Sequence, residues 1–178
     1  ERRHFRGKLA VSSITSLRSS FNDAEEVVDW LIEGGTAAGV IKRVKQLYGF
    51  GDWISWKVPD MIERLDLAPV EFVEDDLKLM FKSSLDGAKE VSQRYAPGGI
   101  VKSHRFLIRK LGALKAPPRY DRRLNVQETE TIFCKWKSHL GGHYPLGKDT
   151  HEIRLGMRRF TPVCLTTQRL LKVPLKAR

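Results

Sequence analysis

Apolar residues recur at spacings of three and four along most of this chain, and that period predicts helices. Val27, Val28, Leu31 and Ile32 give one helix its apolar face. Asn22 is placed to cap it, Asp23, Glu25 and Glu26 suit its positive end, and Gly34-Gly35 ends it. Trp30 on this helix reads as core. Thr36 to Gln46 is a second helix, carried by Val40, Ile41, Val44 and Leu47. Gly49 and Gly51 break it in a tight turn, and a new apolar run starts at Trp53. Pro59 either kinks that run or begins a fresh turn, after which Met61, Ile62 and Leu65 continue the face.

A short loop then puts Asp75 and Asp76 at the start of a further helix, followed by an apolar Leu77 to Phe81. Ser84 to Tyr95 is helical, and Pro97-Gly98-Gly99 is a break. Ile100 to Leu114 places Val101, Phe106, Leu107, Leu111 and Leu114 inward, with Lys102, His104, Arg105, Arg109 and Lys110 on the wet side. The adjacent prolines in Lys115 to Arg123 make it an extended connector. Asn125 caps a last helix, with Glu128 completing a capping box, and it runs through Val126, Thr129, Phe133, Trp136 and Leu140 to Gly141-Gly142. Glu1 to Ser20 lacks clean periodicity and reads as a loop or arm; strand-like alternation persists only between Phe160 and Val173. The fold class is all-α.

Composition adds a partner. Against 21 Asp and Glu stand 32 Lys and Arg, a net charge of +11. A surplus of that size favours a polyanion, most simply nucleic acid. The basic residues crowd three stretches, from Arg2 to Arg18, Lys102 to Arg123 and Arg154 to Arg178, while Asp23 to Glu33 and Glu71 to Asp76 are acidic. The length suits one helical domain, residues 21–150, with a basic arm before it (1–20) and a basic tail packed on it (151–178). The start at Glu1 suggests a processed form or a fragment. All apolar runs are too short for a membrane helix, and two cysteines make no disulfide framework, which favours a reducing, cytoplasmic setting.

Helix, Gly49-Phe-Gly51 turn, helix is a device for presenting backbone N–H groups to phosphate. Gly49, Gly51, Trp53 and Lys57 are therefore the candidate DNA contacts, and Asp52 is an acidic neighbour that phosphate does not favour. Gly-Phe-Gly-Asp-Trp, then a helix, then Asp75-Asp76 resembles the helix-hairpin-helix DNA glycosylases over Thr36 to about Phe81. The resemblance implies a glycosylase-like helical bundle with a basic C-terminal extension. It also implies a hairpin that grips the DNA backbone and a catalytic aspartate at Asp76, with Asp75 as the alternate.

Cys134-Lys-Trp-Lys-Ser-His-Leu-Gly-Gly-His-Tyr-Pro-Leu-Gly-Lys-Asp149 holds a second constellation. Lys135, Lys137, His139, His143 and Lys148 surround a diglycine, Gly141-Gly142, that admits close backbone approach. Point charges, a proton donor and glycine together suit a phosphorylated ligand. Two other readings stand beside this one. Cys134, His139 and His143 with Asp149 or His151 have metal-ligand side chains at a spacing that fits no standard zinc motif; or the lysines simply face water and the histidines satisfy local backbone. A Walker loop is excluded, since Gly-x-x-x-x-Gly-Lys-Ser/Thr does not occur.

Asn125 to Asp149, together with Gly49 to Arg64, looks like the alpha-glutamyl/putrescinyl thymine pyrophosphorylases, the amino acid:DNA transferases. That resemblance implies a phage-associated enzyme that flips a modified base out of DNA. It would replace pyrophosphate on 5-pyrophosphoryloxymethyl-uracil with an amino acid or polyamine. Asp76 or Asp75 would take a proton from the amine, with Lys137, His139 and His143 as further catalytic groups. Lys135, Gly142 and Lys148 would hold pyrophosphate; Tyr144 or Trp136 could stack on the base. No cofactor is required, though Mg²⁺ could assist with Asp149 as its ligand. A base-excising glycosylase and a non-catalytic DNA-binding module are the alternatives; Asp76→Asn and an abasic-site assay separate them.

Overall fold

A computed structural model of the chain describes residues 8–116 and 122–143. Those residues form seven α-helices: α1 (Lys8–Ser20), α2 (Ala24–Ile32), α3 (Ala37–Val44), α4 (Asp52–Arg64), α5 (Lys82–Arg94), α6 (Ile100–Leu111) and α7 (Val126–Leu140). A 3₁₀ turn, η1 (Glu74–Leu79), sits between α4 and α5. A two-residue antiparallel pairing, Lys115–Ala116 with Arg122–Arg123, closes the connector before α7. The class is all-α, as the periodicity predicts. Among the described residues, no helix is long and apolar enough to cross a membrane. The chain divides into two compact units, Glu1–Lys137 and Ser138–Arg178.

Within the first unit the buried core is built from α3, α4, η1, α5 and α7 and the loops that join them. Ala37, Val40, Ile41 and Val44 of α3, Ile54 and Trp56 of α4, Val70 and Phe72 of the following loop, and Leu77 of η1 form one side. Met80, Phe81, Ala88, Val91, Val126 and Phe133 supply the rest. Trp56 is wholly buried and packs on Phe72 with ring centroids 4.7 Å apart. Helices α5 and α7 approach so closely at Gly87 that a Cβ there would lie 1.9 Å from the Phe133 carbonyl oxygen.

Several boundaries differ from the sequence reading, each for a local reason. Residues 8–20 are helical, not a loop; the inward positions Ala10, Ser13, Ser16 and Leu17 are mostly small and polar, so no apolar period shows. Asp23, not Asn22, caps α2 by accepting from Glu26 N–H at 2.9 Å, while Glu26 accepts from Asn22 N–H at 2.7 Å. Helix α4 continues past Pro59 to Arg64, with no fresh start there. In α6 the buried residues are Ser103 and His104, and Leu114 is exposed beyond the helix end. His104, read from sequence as a wet-side residue, instead meets Thr129 of α7, Nδ1 to Oγ1 at 2.9 Å. Trp30, read as core, is half-buried between Phe21 and the Arg43 guanidinium. The alternating stretch Phe160 to Val173 lies outside the described residues.

Candidate functional site

The hairpin forms where the glycines require it. Helix α3 starts at Thr36, whose hydroxyl accepts from Gly39 N–H at 3.1 Å, and the chain turns through Gly49 at φ 85°, a conformation that side chains disfavour. Gly51 then begins α4 with no side chain to cap it, so its first-turn amides receive no side-chain cap from that position. Asp52 is met by Lys45 at 2.8 Å across the turn. Both are surface side chains, so the pair adds little stability. Its effect is local: the carboxylate is offset and a lysine is brought to the hairpin. Trp53 is half-buried against the core.

Lys57 sits lower on α4 and points into a buried polar network. Its ammonium lies 2.7 Å from Glu130 and 3.1 Å from Asp60. Glu130 also accepts from Ser84 Oγ at 2.7 Å, and Asp60 from Arg64 Nε at 2.6 Å. Arg64 reaches Glu128 at 3.0 Å, and Glu128 accepts from Asn125 N–H at 2.9 Å. Burial alone would pull the Lys57 pKa down; Glu130 and Asp60 outweigh it and hold the ammonium above its usual range. The charge that the sequence reading offered to DNA phosphate is thus already met inside the protein. Sequence reasoning missed this network. The one signal for it is Gln127-Glu128-Thr129-Glu130, four consecutive polar residues, all buried.

Asp75 and Asp76 lie on η1, which packs against α3 and α6, but in opposite environments. Asp75 is exposed, and its bond to Lys78 at 2.8 Å holds its carboxyl below the usual range. Asp76 is buried, and its Oδ2 accepts from Val73 N–H at 2.8 Å. Burial pushes the Asp76 carboxyl up, the Val73 bond opposes that, and the Asp75 charge adds to the rise. A buried carboxyl with a raised pKa fits proton transfer near neutral pH far better than an exposed, paired one. Beside them, Arg105 makes a two-bond clasp on Glu74 at 2.8 and 2.7 Å that ties η1 to α6.

Lys135 and Lys137 end the first unit, exposed on α7. Lys137, Lys82 and Lys89 all act on Asp86, whose carboxyl is lowered chiefly by its bond to Lys82. That places a cationic patch across α5 and α7. His139, Gly142 and His143 belong to the second unit. There α7 ends as Gly142 N–H and His143 N–H bond the carbonyls of His139 and Ser138, each at 2.9 Å, with Gly142 at φ 72°. Lys148, Tyr144, Asp149 and His151 lie outside the described residues. Among the described residues, no group of three His, Cys, Asp or Glu is placed to hold a metal ion.

Together these features define an all-helical protein with a glycine hairpin between two helices, a buried carboxyl on the turn that follows, and an excess of positive charge. The amino acid:DNA transferase family matches residues 1–144, and the chain belongs to that family. It is similar to a glycinyltransferase of Pseudomonas phage PaMx11, 38% identical over 191 residues that cover 94% of this chain. It is also similar to a putrescinyltransferase of Delftia phage PhiW-14, 26% identical over 159 residues that cover 84%. The chain spans 65% of the length of the first and 51% of the second.

Proposed function

We propose that this chain carries the catalytic helical core of a DNA base-hypermodifying transferase. In the reaction, an amine attacks the 5-methylene carbon of 5-pyrophosphoryloxymethyl-uracil in DNA. The C–N bond forms as the C–O bond breaks, pyrophosphate leaves with the bonding pair, and the amine's protons pass to a carboxylate and then water. The observation that carries this reading is Asp76, a buried carboxyl whose pKa burial raises, which makes its carboxylate a better proton acceptor, and whose position the Val73 amide fixes. It is the base; Asp75, exposed and already paired, is not.

The developing charge on the leaving pyrophosphate needs cations set in advance. Lys135 and Lys137 are exposed and cationic at the end of α7, and His139, Gly142, His143 and Lys148 follow them in the chain. The α3–α4 turn, with Gly51 exposed and Lys45 beside it on Asp52, grips the backbone while the nucleotide rotates out. The amine is an amino acid or a polyamine. Glycine is the first to try, because the glycinyltransferase is the more similar of the two relatives.

The test is nucleoside mass spectrometry after incubation with DNA bearing the pyrophosphorylated base, glycine and putrescine, with pyrophosphate assayed in parallel. A new thymine adduct with equimolar pyrophosphate, abolished by Asp76→Asn and retained by Asp75→Asn, supports the reading. Abasic sites would make the chain a glycosylase. Unaltered DNA that still binds would make it a binding module, with Asp76 no more than a helix cap.

A further inference from the structure

Helix α2 is rich in apolar residues, yet none of its residues is buried. Val28, Leu31 and Ile32 share one face at helical spacing and open onto Val58, Met61 and Ile62 of α4, with Leu67 at the end. Between the two helices lies an apolar groove of about 620 Å³. Val28 and Met61 are each 50% exposed and Leu67 is 65% exposed. Lys57 lines the groove but keeps its ammonium on Glu130 and Asp60, so the groove presents no unmet charge there. Among the described residues no third element lies between these two facing rows of aliphatic side chains, and such a pair of rows is the template for helix-in-groove recognition. At nine residues, α2 is about 14 Å long, which matches two to three turns of a docked helix.

Charge selects the occupant. From residue 23 to residue 33 there are five carboxylates, Asp23, Glu25, Glu26, Asp29 and Glu33, and no Lys, Arg or His. Glu25 and Asp29 stand three residues before Val28 and Ile32, on the flank of α2 next to the groove, and with Asp23, Glu26 and Glu33 they line the neighbouring cavity at Phe21 and Trp30. This is an acidic wall on a protein of net charge +11, so DNA is repelled from it. A second copy docking groove to groove would bring the two acidic helices together, which like charge also opposes. We propose that the α2–α4 groove is the docking site for another protein, through a helix with an apolar stripe flanked by lysines and arginines.

The probe is an 18-residue amphipathic helix of leucine and lysine only, with a leucine and glutamate peptide of the same apolar face as its control. Binding to the full chain is followed by fluorescence anisotropy and mapped by amide hydrogen exchange. The expected result is binding of the lysine peptide alone, with slowed exchange at residues 24–32 and 57–67. Val28→Asp with Met61→Asp should weaken it at least tenfold, as should Glu25→Lys with Asp29→Lys. All four side chains are exposed, so these variants keep the fold. A cationic peptide has no reason to seek this cationic protein through net charge alone, which makes its binding informative. The proposal is overturned by no binding, by protection elsewhere, by equal binding of the glutamate peptide, or by a dimer in sedimentation that Val28→Asp dissociates.

Discussion

Replacing Glu130 with Ala should cost this protein much of its stability, and replacing its partner as well should restore most of it. Glu130 is 1% exposed and accepts two bonds at 2.7 Å, from Lys57 Nζ and Ser84 Oγ. Its removal leaves a three-quarters-buried ammonium with Asp60 alone, and a buried hydroxyl with no acceptor. Breaking a buried pair from one side costs about 3–5 kcal/mol. Because Asp60 remains and Lys57 keeps some solvent, the lower end applies, about 3 kcal/mol. In the double variant Lys57→Met, Glu130→Leu, no charge is stranded, and Asp60 keeps Arg64 at 2.6 Å. That variant should fall within about 1.5 kcal/mol of the parent, since apolar replacement of a buried pair is often near neutral. Urea unfolding followed by circular dichroism compares the parent, Lys57→Met, Glu130→Leu and the double variant as the four corners of the cycle, with Glu130→Ala beside them. A loss below about 1 kcal/mol for Glu130→Ala, or a double variant as unstable as the two singles summed, would refute the network as an interdependent unit.

The remaining predictions concern the candidate base, the histidine and the close helix contact. Asp76 has a raised pKa in the folded state, so folded protein holds its proton where unfolded chain has lost it. Its contribution to stability therefore falls as pH rises from the usual carboxyl range through the folded value. Asp76→Asn keeps an acceptor for Val73, so it should flatten that part of the stability–pH curve while abolishing transfer, read by denaturation at stepped pH and by product mass spectrometry. His104 behaves in the opposite sense: burial lowers its pKa despite the pull of Glu74, so stability should decline as pH drops below about 6.5. His104→Phe, which cannot charge, should show a shallower decline over the same interval. Gly87→Ala should cost about 1–3 kcal/mol or more, because its Cβ meets the Phe133 backbone, not a side chain that could swing away; an unchanged melting temperature would contradict the α5–α7 contact.

What the sequence determined by itself was whatever depends on neighbours along the chain. The three-and-four spacing of Val40, Ile41 and Val44, the Gly49 turn and the Asn125–Glu128 helix start are local, and helices appear where those signals stand. The composition likewise pointed to a polyanionic partner, and two motif stretches carried the family. Side-chain fate was decided only by the tertiary structure, because burial depends on residues distant in sequence. Lys57 reads as a free cation until Glu130, 73 positions away, arrives beside it. His104 reads as a surface residue until Thr129 covers it. Asp75 and Asp76 are adjacent and identical in type; their difference arises because one is turned inward toward the packed helices and the other outward to Lys78. Helix α1 escapes the apolar pattern because a serine, Ser13, fills the tightest position on its face. A small side chain is favoured wherever backbones come close, and no periodicity in hydrophobicity records that.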